Sequence, residues 1–347
     1  MKNILISGYY GFHNTGDELV LQEIVKGLKK TRNDLKITVL SADPEHTEKE
    51  YAVKAKDRWK LFQVMKEIYK TDILISGGGS LLQDKTSKNG ILYYLAIILA
   101  GRIFRKNLLI FSQGIGPVES GRNVFLLKKI LSLTDYISVR DEESLEFLKE
   151  IGIKKEIVLS GDPVFLLDST EEEDRKELWA KAGLDEEKKL ITISLRPWDN
   201  IDHVIDETGK FLESFSKKDY QIRYLSFHLG EDDKIIDGKV PAEEIVDIPL
   251  RPNELASLIS SSYLTIGMRL HSLILAAASQ VKFISISYDP KVDALDKAIY
   301  KSKININTDN ISRDILWEKY QEVKDYDYSN KEIRARAFKP FKYIQDR

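Results

Sequence analysis

Residues 3–18 read NILISGYYGFHNTGDE, and residues 72–80 read DILISGGGS. Each is a short run of apolar and β-branched residues that ends in serine and breaks into glycine. The first then passes into a helical pattern over Asp17–Lys29. A strand, a glycine turn and a helix repeated in this way predict a parallel sheet with crossover helices. Working outward, further strands are predicted at Ile37–Leu40, Leu108–Ser112, Tyr136–Val139 and Ile157–Leu159. Helical patterns lie between them at Leu61–Tyr69, Val124–Leu133 and Glu142–Ile151. Several of the strands are almost continuously apolar, as strands buried on both faces are.

The alternation pauses after Leu167. Residues 169–189 are dense in charge, opening with Glu171-Glu172-Glu173-Asp174, although Trp179 and Leu184 give part of the stretch a helical character. Strands then resume at Ile191–Leu195, Ile222–Phe227, Ile245–Ile248, Leu264–Ile266 and Phe283–Ser287. The helices between them fall at His203–Ser216, Asn253–Ser260, Leu270–Ser279 and Val292–Ile299. The expected organisation is a Rossmann-like domain over 1–168, a charged linker over 169–189, a second Rossmann-like domain over 190–325 and a helical tail over 326–347. Residues 331–347 carry six basic and two acidic side chains with Phe338, Phe341 and Tyr343 among them. That tail reads as a terminal helix packed on the body, or else as a surface for anionic lipid headgroups.

With 347 residues, 42% of them apolar, the chain has material for two cores. A formal net charge of -2 gives no support to nucleic-acid binding. The absence of cysteine excludes disulfides, thiolate nucleophiles and cysteine metal sites. The apolar run Ile91–Ala100 is too short for a bilayer span, which takes about twenty residues, and reads as a buried helix. Residues 1–6 do not form a leader, so a cytoplasmic protein is expected.

In open parallel sheets ligands bind beyond the carboxyl ends of the strands, and the unusual residues fall there. In the first half, Gly11 and Asn14 sit in the glycine loop, where free N–H groups ahead of a helix favour an anion. The alternative is a tight turn capped by Asn14 or Asp17. Gly77, Gly78 and Gly79 form a candidate phosphate or carboxylate cradle, with Ser80 and Gln83 spaced as a capping box for a following helix. Gln113–Pro117 lies on the same rim. Arg140 stands where a strand gives way to a helix, placed for bidentate recognition of an anion or for a pair with Asp141 or Glu142. In the second half, Arg196 ends one strand and Arg269 with His271 ends another. The chain has only five histidines. One beside arginines at a helix start is an acid–base candidate, although a lone histidine is more often structural. Lys291, in Tyr288-Asp289-Pro290-Lys291, is within reach of a phosphate. There is no Walker lysine loop, H-E-x-x-H or G-x-S-x-G signature, and no histidine–carboxylate pattern for a catalytic metal.

Six segments, in order, resemble the polysaccharide pyruvyl transferases. They are the first glycine loop, Gly77–Asp84 (GGGSLLQD), Gln113–Pro117, Ser138–Glu142, Gly161-Asp162-Pro163 and Met268–Leu275 (MRLHSLIL). The resemblance runs to about Asp296 and is similar to the CsaB type. It implies a GT-B-like pair of Rossmann-like domains with a central cleft. It also implies phosphoenolpyruvate as donor, with no separate cofactor and no metal. The implied acceptor is a lipid-linked sugar, N-acetylmannosamine of a secondary cell-wall polymer precursor used in S-layer anchoring. The implied partners thus include the inner membrane face and no nucleic acid. His271 becomes the general acid. Arg140, Arg196 and Arg269 become the anion clamps with the triglycine amides beside them, and Lys291 a contact to the carrier pyrophosphate. Two other readings of the rim remain: a nucleotide-sugar glycosyltransferase on the same fold, and a sensor that binds an anionic metabolite without turnover.

Overall fold

The structure is a computed structural model that describes residues 2–85, 90–168, 171–246, 248–302 and 304–346. The chain forms two compact units, residues 1–166 with 332–347, and residues 167–331. The first contains, in chain order, β1 (Lys2–Ser7), α1 (Thr15–Thr31), β2 (Leu35–Ser41), α2 (Pro44–Tyr51), β3 (Lys54–Asp57), α3 (Leu61–Lys70), β4 (Ile73–Gly77), α4 (Gly90–Ile103), β5 (Asn107–Gln113), α5 (Gly121–Leu131), β6 (Tyr136–Val139), α6 (Glu142–Glu150) and β7 (Val158–Leu159). The second contains α7 (Glu172–Lys181), β8 (Lys189–Ser194), α8 (Ile201–Leu212), β9 (Tyr220–Tyr224), α9 (Asp232–Ile236), α10 (Pro252–Ser260), β10 (Leu264–Gly267), α11 (Leu270–Ala278), β11 (Lys282–Ser285), α12 (Pro290–Tyr300) and α13 (Arg313–Val323). Two short helices, α14 (Lys331–Ala337) and α15 (Lys339–Gln345), end the chain.

The first sheet has seven strands in the order β3-β2-β1-β4-β5-β6-β7. Its pairings are parallel, with Ile4 opposite Ile37 on one side and Ile73 on the other. All five residues of β4 are buried, which accounts for its unbroken apolar pattern. From β1 the chain builds outward to β3, then returns to place β4 on the other side of β1. The carboxyl ends of β1 and β4 therefore flank a switch point, where the loops diverge and leave a crevice. The second sheet has four parallel strands in the order β11-β10-β8-β9, so its switch point lies between β8 and β10. Arg196 follows β8, and Arg269 with His271 follows β10.

Several segments depart from the sequence reading, each because a distant partner outweighs the local pattern. No helix starts at Ser80. Leu82 instead bridges Ile115, with Gly116 donating to the Leu82 carbonyl at 2.9 Å, and the next described helix is α4. The run Ile245–Ile248 contributes one bridge, Ile245 to Tyr224, rather than a strand, and Asp247 lies outside the described residues. A 3-10 turn over Ala242–Glu244 precedes it and Pro249 follows, which leaves little backbone able to form a ladder. Residues 169–189 are not a linker. Ser169 and Thr170 lie outside the described residues, and α7 belongs to the second unit. There Leu178 and Trp179 are buried, and the Trp179 indole donates to Ser261 Oγ at 3.1 Å. The strand β3 and helices α2 and α13 had no expectation; Lys54-Ala55-Lys56-Asp57 is a charged edge strand with only one neighbour.

The end of the chain packs on the first unit. The Phe341 ring meets Phe111 edge to face at 4.9 Å, and Tyr343 stacks on Tyr136 at 4.3 Å. Phe341 and Ile344 are buried, and each such side chain contributes about 1.5–3 kcal/mol.

Candidate active site

The rim of the first sheet is built by interlocking the two glycine segments. Asn14 caps α1, its Oδ1 accepting from the Gly16 and Asp17 amides at 3.1 and 3.4 Å. Gly11 turns with φ +75 and donates its N–H to Glu18 Oε1 at 2.8 Å. The other oxygen of Glu18 accepts the Tyr51 hydroxyl at 2.6 Å. Burial pushes the Glu18 carboxyl up, against the lowering effect of these two hydrogen bonds. Tyr10 is fully buried and donates to the Gly77 carbonyl at 2.6 Å, and Arg58 holds the Gly8 carbonyl at 2.7 Å. Gly78 and Gly79 both have positive φ, +78 and +63. A Cβ on Gly78 would lie 2.6 Å from the Tyr10 hydroxyl, and one on Gly79 would lie 2.3 Å from Asp17 Oδ1. The close approach that three glycines permit is thus, in this structure, made by the protein's own first loop and helix.

Arg140 directly follows β6, with only 8% of its surface exposed. Its Nε donates to Asp141 at 3.2 Å, Nη1 to Asp162 at 3.5 Å and Nη2 to Ser80 Oγ at 3.3 Å. Burial pulls the guanidinium down, and the carboxylates of Asp141 and Asp162 more than offset it, so its pKa stands above the ordinary arginine value. Asp162 is itself 2% exposed and also accepts the Val164 amide at 2.9 Å. Arg140 therefore ties Ser80, at the end of the triglycine turn, to the turn after β7. Asp162 was not among the residues that sequence reading singled out for a role. The only signal was its place in Gly161-Asp162-Pro163.

In the second unit Arg269 occupies the N-cap position of α11 and forms a two-toothed pair with Asp232, Nε to Oδ2 at 3.1 Å and Nη2 to Oδ1. Glu231 stands 3.5 Å from the same guanidinium and 2.7 Å from His228 Nδ1. Asp232 also accepts the amides of Phe227 and His228, each at 3.0 Å. Sequence reading missed this carboxylate; its one trace is the acidic run Glu231-Asp232-Asp233 just beyond β9. His271 lies in the first turn of α11, half-buried, two residues beyond Arg269.

Arg196 is different. Its guanidinium lies over the Tyr288 ring at 4.4 Å, with Trp198 at 6.0 Å, and Trp198 and Tyr288 touch at 5.1 Å. No carboxylate among the described residues forms an ion pair with it, and its buried Nε has no hydrogen-bond partner among them. Lys291 stands over the same Tyr288 ring at 5.8 Å and 3.7 Å from Asp289, which caps α12. The second rim thus joins Arg196 and Lys291 through one aromatic ring and places Arg269 and His271 on one turn. The first joins Gly11, Asn14, Gly77, Gly78, Gly79, Ser80 and Arg140. Of the three arginines expected to clamp an anion, two are neutralised by carboxylates, and among the described residues Arg196 is not.

The sequence profile of a family described as polysaccharide pyruvyl transferase matches residues 14–290. The amylovoran biosynthesis protein AmsJ of Erwinia amylovora is 23% identical over 351 residues, covering 83% of this chain and 84% of that protein. Among solved structures, the UDP-GlcNAc 2-epimerase of Neisseria meningitidis superposes with a TM-score of 0.67 at 13% identity, covering 100% of both chains. The UDP-GlcNAc 2-epimerase of Methanocaldococcus jannaschii gives 0.67 at 13% identity over 99% of this chain and 100% of that one. The Escherichia coli ADP-heptose heptosyltransferase II gives 0.50 at 11% identity over 92% and 98%. At such identities these likenesses show the fold alone, an α/β fold of the GT-B type.

Proposed function

The chain belongs to the polysaccharide pyruvyl transferase family, and from that membership we propose that it moves the enolpyruvyl group of phosphoenolpyruvate onto a sugar as a cyclic ketal, releasing phosphate. The observation that supports an anionic donor is Arg196, a positive charge stacked on Tyr288 at the switch point of the second sheet and without a carboxylate partner among the described residues. A guanidinium in that state has the most to gain from a bound phosphate or carboxylate. Arg140 has three of its N–H groups engaged by Asp141, Asp162 and Ser80. Of a guanidinium's five N–H groups, those left over are what a ligand meets. Its first role in this reading is to hold the triglycine rim, and Arg269 is braced in the same way by Asp232.

In the proposed reaction His271 protonates the methylene carbon of the donor, which makes the central carbon electrophilic. A sugar hydroxyl adds to that carbon, its bond to the phosphate oxygen breaks, and a second hydroxyl closes the ring. Two carbon–oxygen bonds form and one breaks. Of the two hydroxyl protons, one replaces the proton His271 gave and the other leaves with phosphate. Positive groups fixed before the phosphate departs stabilise it without reorganisation. Lys291 is assigned to the pyrophosphate of a lipid-linked acceptor. The acceptor of this reading, of the CsaB type, is N-acetylmannosamine in a cell-wall polymer precursor, with the enzyme working in the cytoplasm at the inner face of the membrane.

The test is phosphate release from phosphoenolpyruvate with and without an aryl-linked or lipid-diphosphate-linked N-acetylmannosamine disaccharide. Release that requires the sugar, with a product heavier by one pyruvyl ketal, is the expected result. Binding of phosphoenolpyruvate without release would make the protein a sensor. Release of nucleotide from a UDP-sugar instead would make it a glycosyltransferase.

A further inference from the structure

The helices α3 and α4, adjacent on one face of the first sheet, expose apolar side chains that their local patterns do not call for. At 100° per residue, Leu61, Met65 and Tyr69 form one row along α3, and Phe62, Lys66 and Lys70 form the next. Val64 and Ile68 face the core beside the first row, whose Met65 packs partly against it, and the second row lies opposite them. Phe62 is 94% exposed, Leu61 67%, Tyr69 66%, and Trp59 just ahead of the helix 65%. A helix apolar all round is ordinarily buried on all sides. Yet α4, of that kind, exposes Leu99 at 40% and Ile103 at 68%. Tyr69 and Phe104 touch edge to face at 5.7 Å, which makes the two helices one surface.

The rim of this surface is basic. Lys60, Lys66, Lys70, Arg102 and Arg105 are exposed, with Lys106 beside them over the Tyr69 ring. The acidic residues interspersed, Asp57 and Glu67, are paired with Lys60 and Lys70. The chain as a whole is slightly acidic, at -2, so this concentration is local. An apolar patch ringed by lysine and arginine matches the boundary between headgroups and acyl chains of an anionic bilayer. No described helix is long and apolar enough to cross a membrane, and here none needs to. The tail offers less apolar surface, because Phe341 and Ile344 are buried in the first unit and Phe338 is its one exposed large apolar side chain among the described residues.

We infer that the α3–α4 face of the first unit docks on an anionic membrane surface, with Phe62, Leu61 and Ile103 entering the interface and the basic rim meeting lipid phosphates. This deepens the proposed function by naming the surface that would bring the enzyme to a lipid-linked acceptor, and it rests on that reading only for its purpose. The experiment is co-sedimentation of the full chain with phosphatidylglycerol–phosphatidylcholine vesicles and with phosphatidylcholine alone, without donor or sugar. Binding to the anionic vesicles only, weakened by salt, is expected. Phe62→Ser/Ile103→Ser and Lys66→Glu/Arg102→Glu should each lower it more than roughly ten-fold. Both variants should release phosphate at the wild-type rate with a soluble aryl-linked acceptor. Failure of wild type to bind, or equal binding by the variants, overturns the inference. So does loss of binding only in Lys339→Glu/Lys342→Glu, which would move the contact to the tail. A dimer that Phe62→Ser/Ile103→Ser dissolves, without vesicle binding, would make the face a contact between copies. Vesicle binding without phosphate release under any condition would remove the reaction and leave the surface.

Discussion

Replacing Arg140 by alanine should damage stability before it informs on catalysis. The guanidinium is 8% exposed and Asp162 is 2% exposed, so the substitution leaves a buried carboxylate without its cation. Breaking a buried pair from one side costs about 3–5 kcal/mol. Asp141 is the lesser loss, since its side chain is 20% exposed and can be hydrated. For a unit of this size each kcal/mol lowers Tm by about 2–4 °C, so Arg140→Ala should melt roughly 6–20 °C below wild type. Asp162→Asn in the same chain removes the stranded charge and keeps an oxygen for the Val164 amide, now accepted at 2.9 Å. The double variant should recover most of the loss, with a coupling of roughly 2–3 kcal/mol in the cycle. Urea unfolding of the four proteins measures it. Phosphate release by the folded double variant then reports whether the guanidinium acts on the donor. An Arg140→Ala protein with a wild-type midpoint, or no rescue by Asp162→Asn, would refute the assignment of this arginine as a structural tie between Ser80 and Asp162.

His271→Ala should lower sugar-dependent phosphate release by about 10²–10⁴, the usual worth of a general acid, with an unchanged melting curve. Arg196→Ala should raise KM for phosphoenolpyruvate while leaving the fold intact, and Arg196→Lys should restore it only in part; steady-state kinetics separate the two. Gly79→Ala should destabilise the first unit, because the new Cβ lies 2.3 Å from Asp17 Oδ1 at a φ of +63; thermal melting checks it. The Glu18 carboxyl, pushed up by burial, favours folding in its neutral form. Its contribution is complete below the unfolded value of about 4.3 and is lost as pH rises through the folded value. Glu18→Gln should therefore flatten the decline of stability above that pH, as read by urea midpoints across a pH series.

The order of strands and helices was legible because β1, β4 and β5 are apolar runs bounded by glycine or polar turns, and α1 and α3 repeat at helical spacing. Such periods are local, and burial on one or both faces writes them directly into the chain. The charged edge strand β3 was illegible for the same reason, since an edge facing water needs no apolar pattern. The rims were legible too, as glycine, arginine and histidine placed just beyond strands. What each residue does there was not. Ser80 and Gln83 satisfy a local helix-start pattern, yet the pairing of Leu82 with Ile115 keeps that stretch extended. Arg140 finds Asp162 from 22 residues away, and Arg269 finds Asp232 from 37. Whether an arginine is neutralised or left open depends on which carboxylate the crossovers bring beside it. By itself the sequence determined the alternation of elements and the rim on which charge collects. Only the tertiary structure decided that Arg140 and Arg269 are held by carboxylates while Arg196 rests on an aromatic ring, because charge compensation acts through space and has no period along the chain.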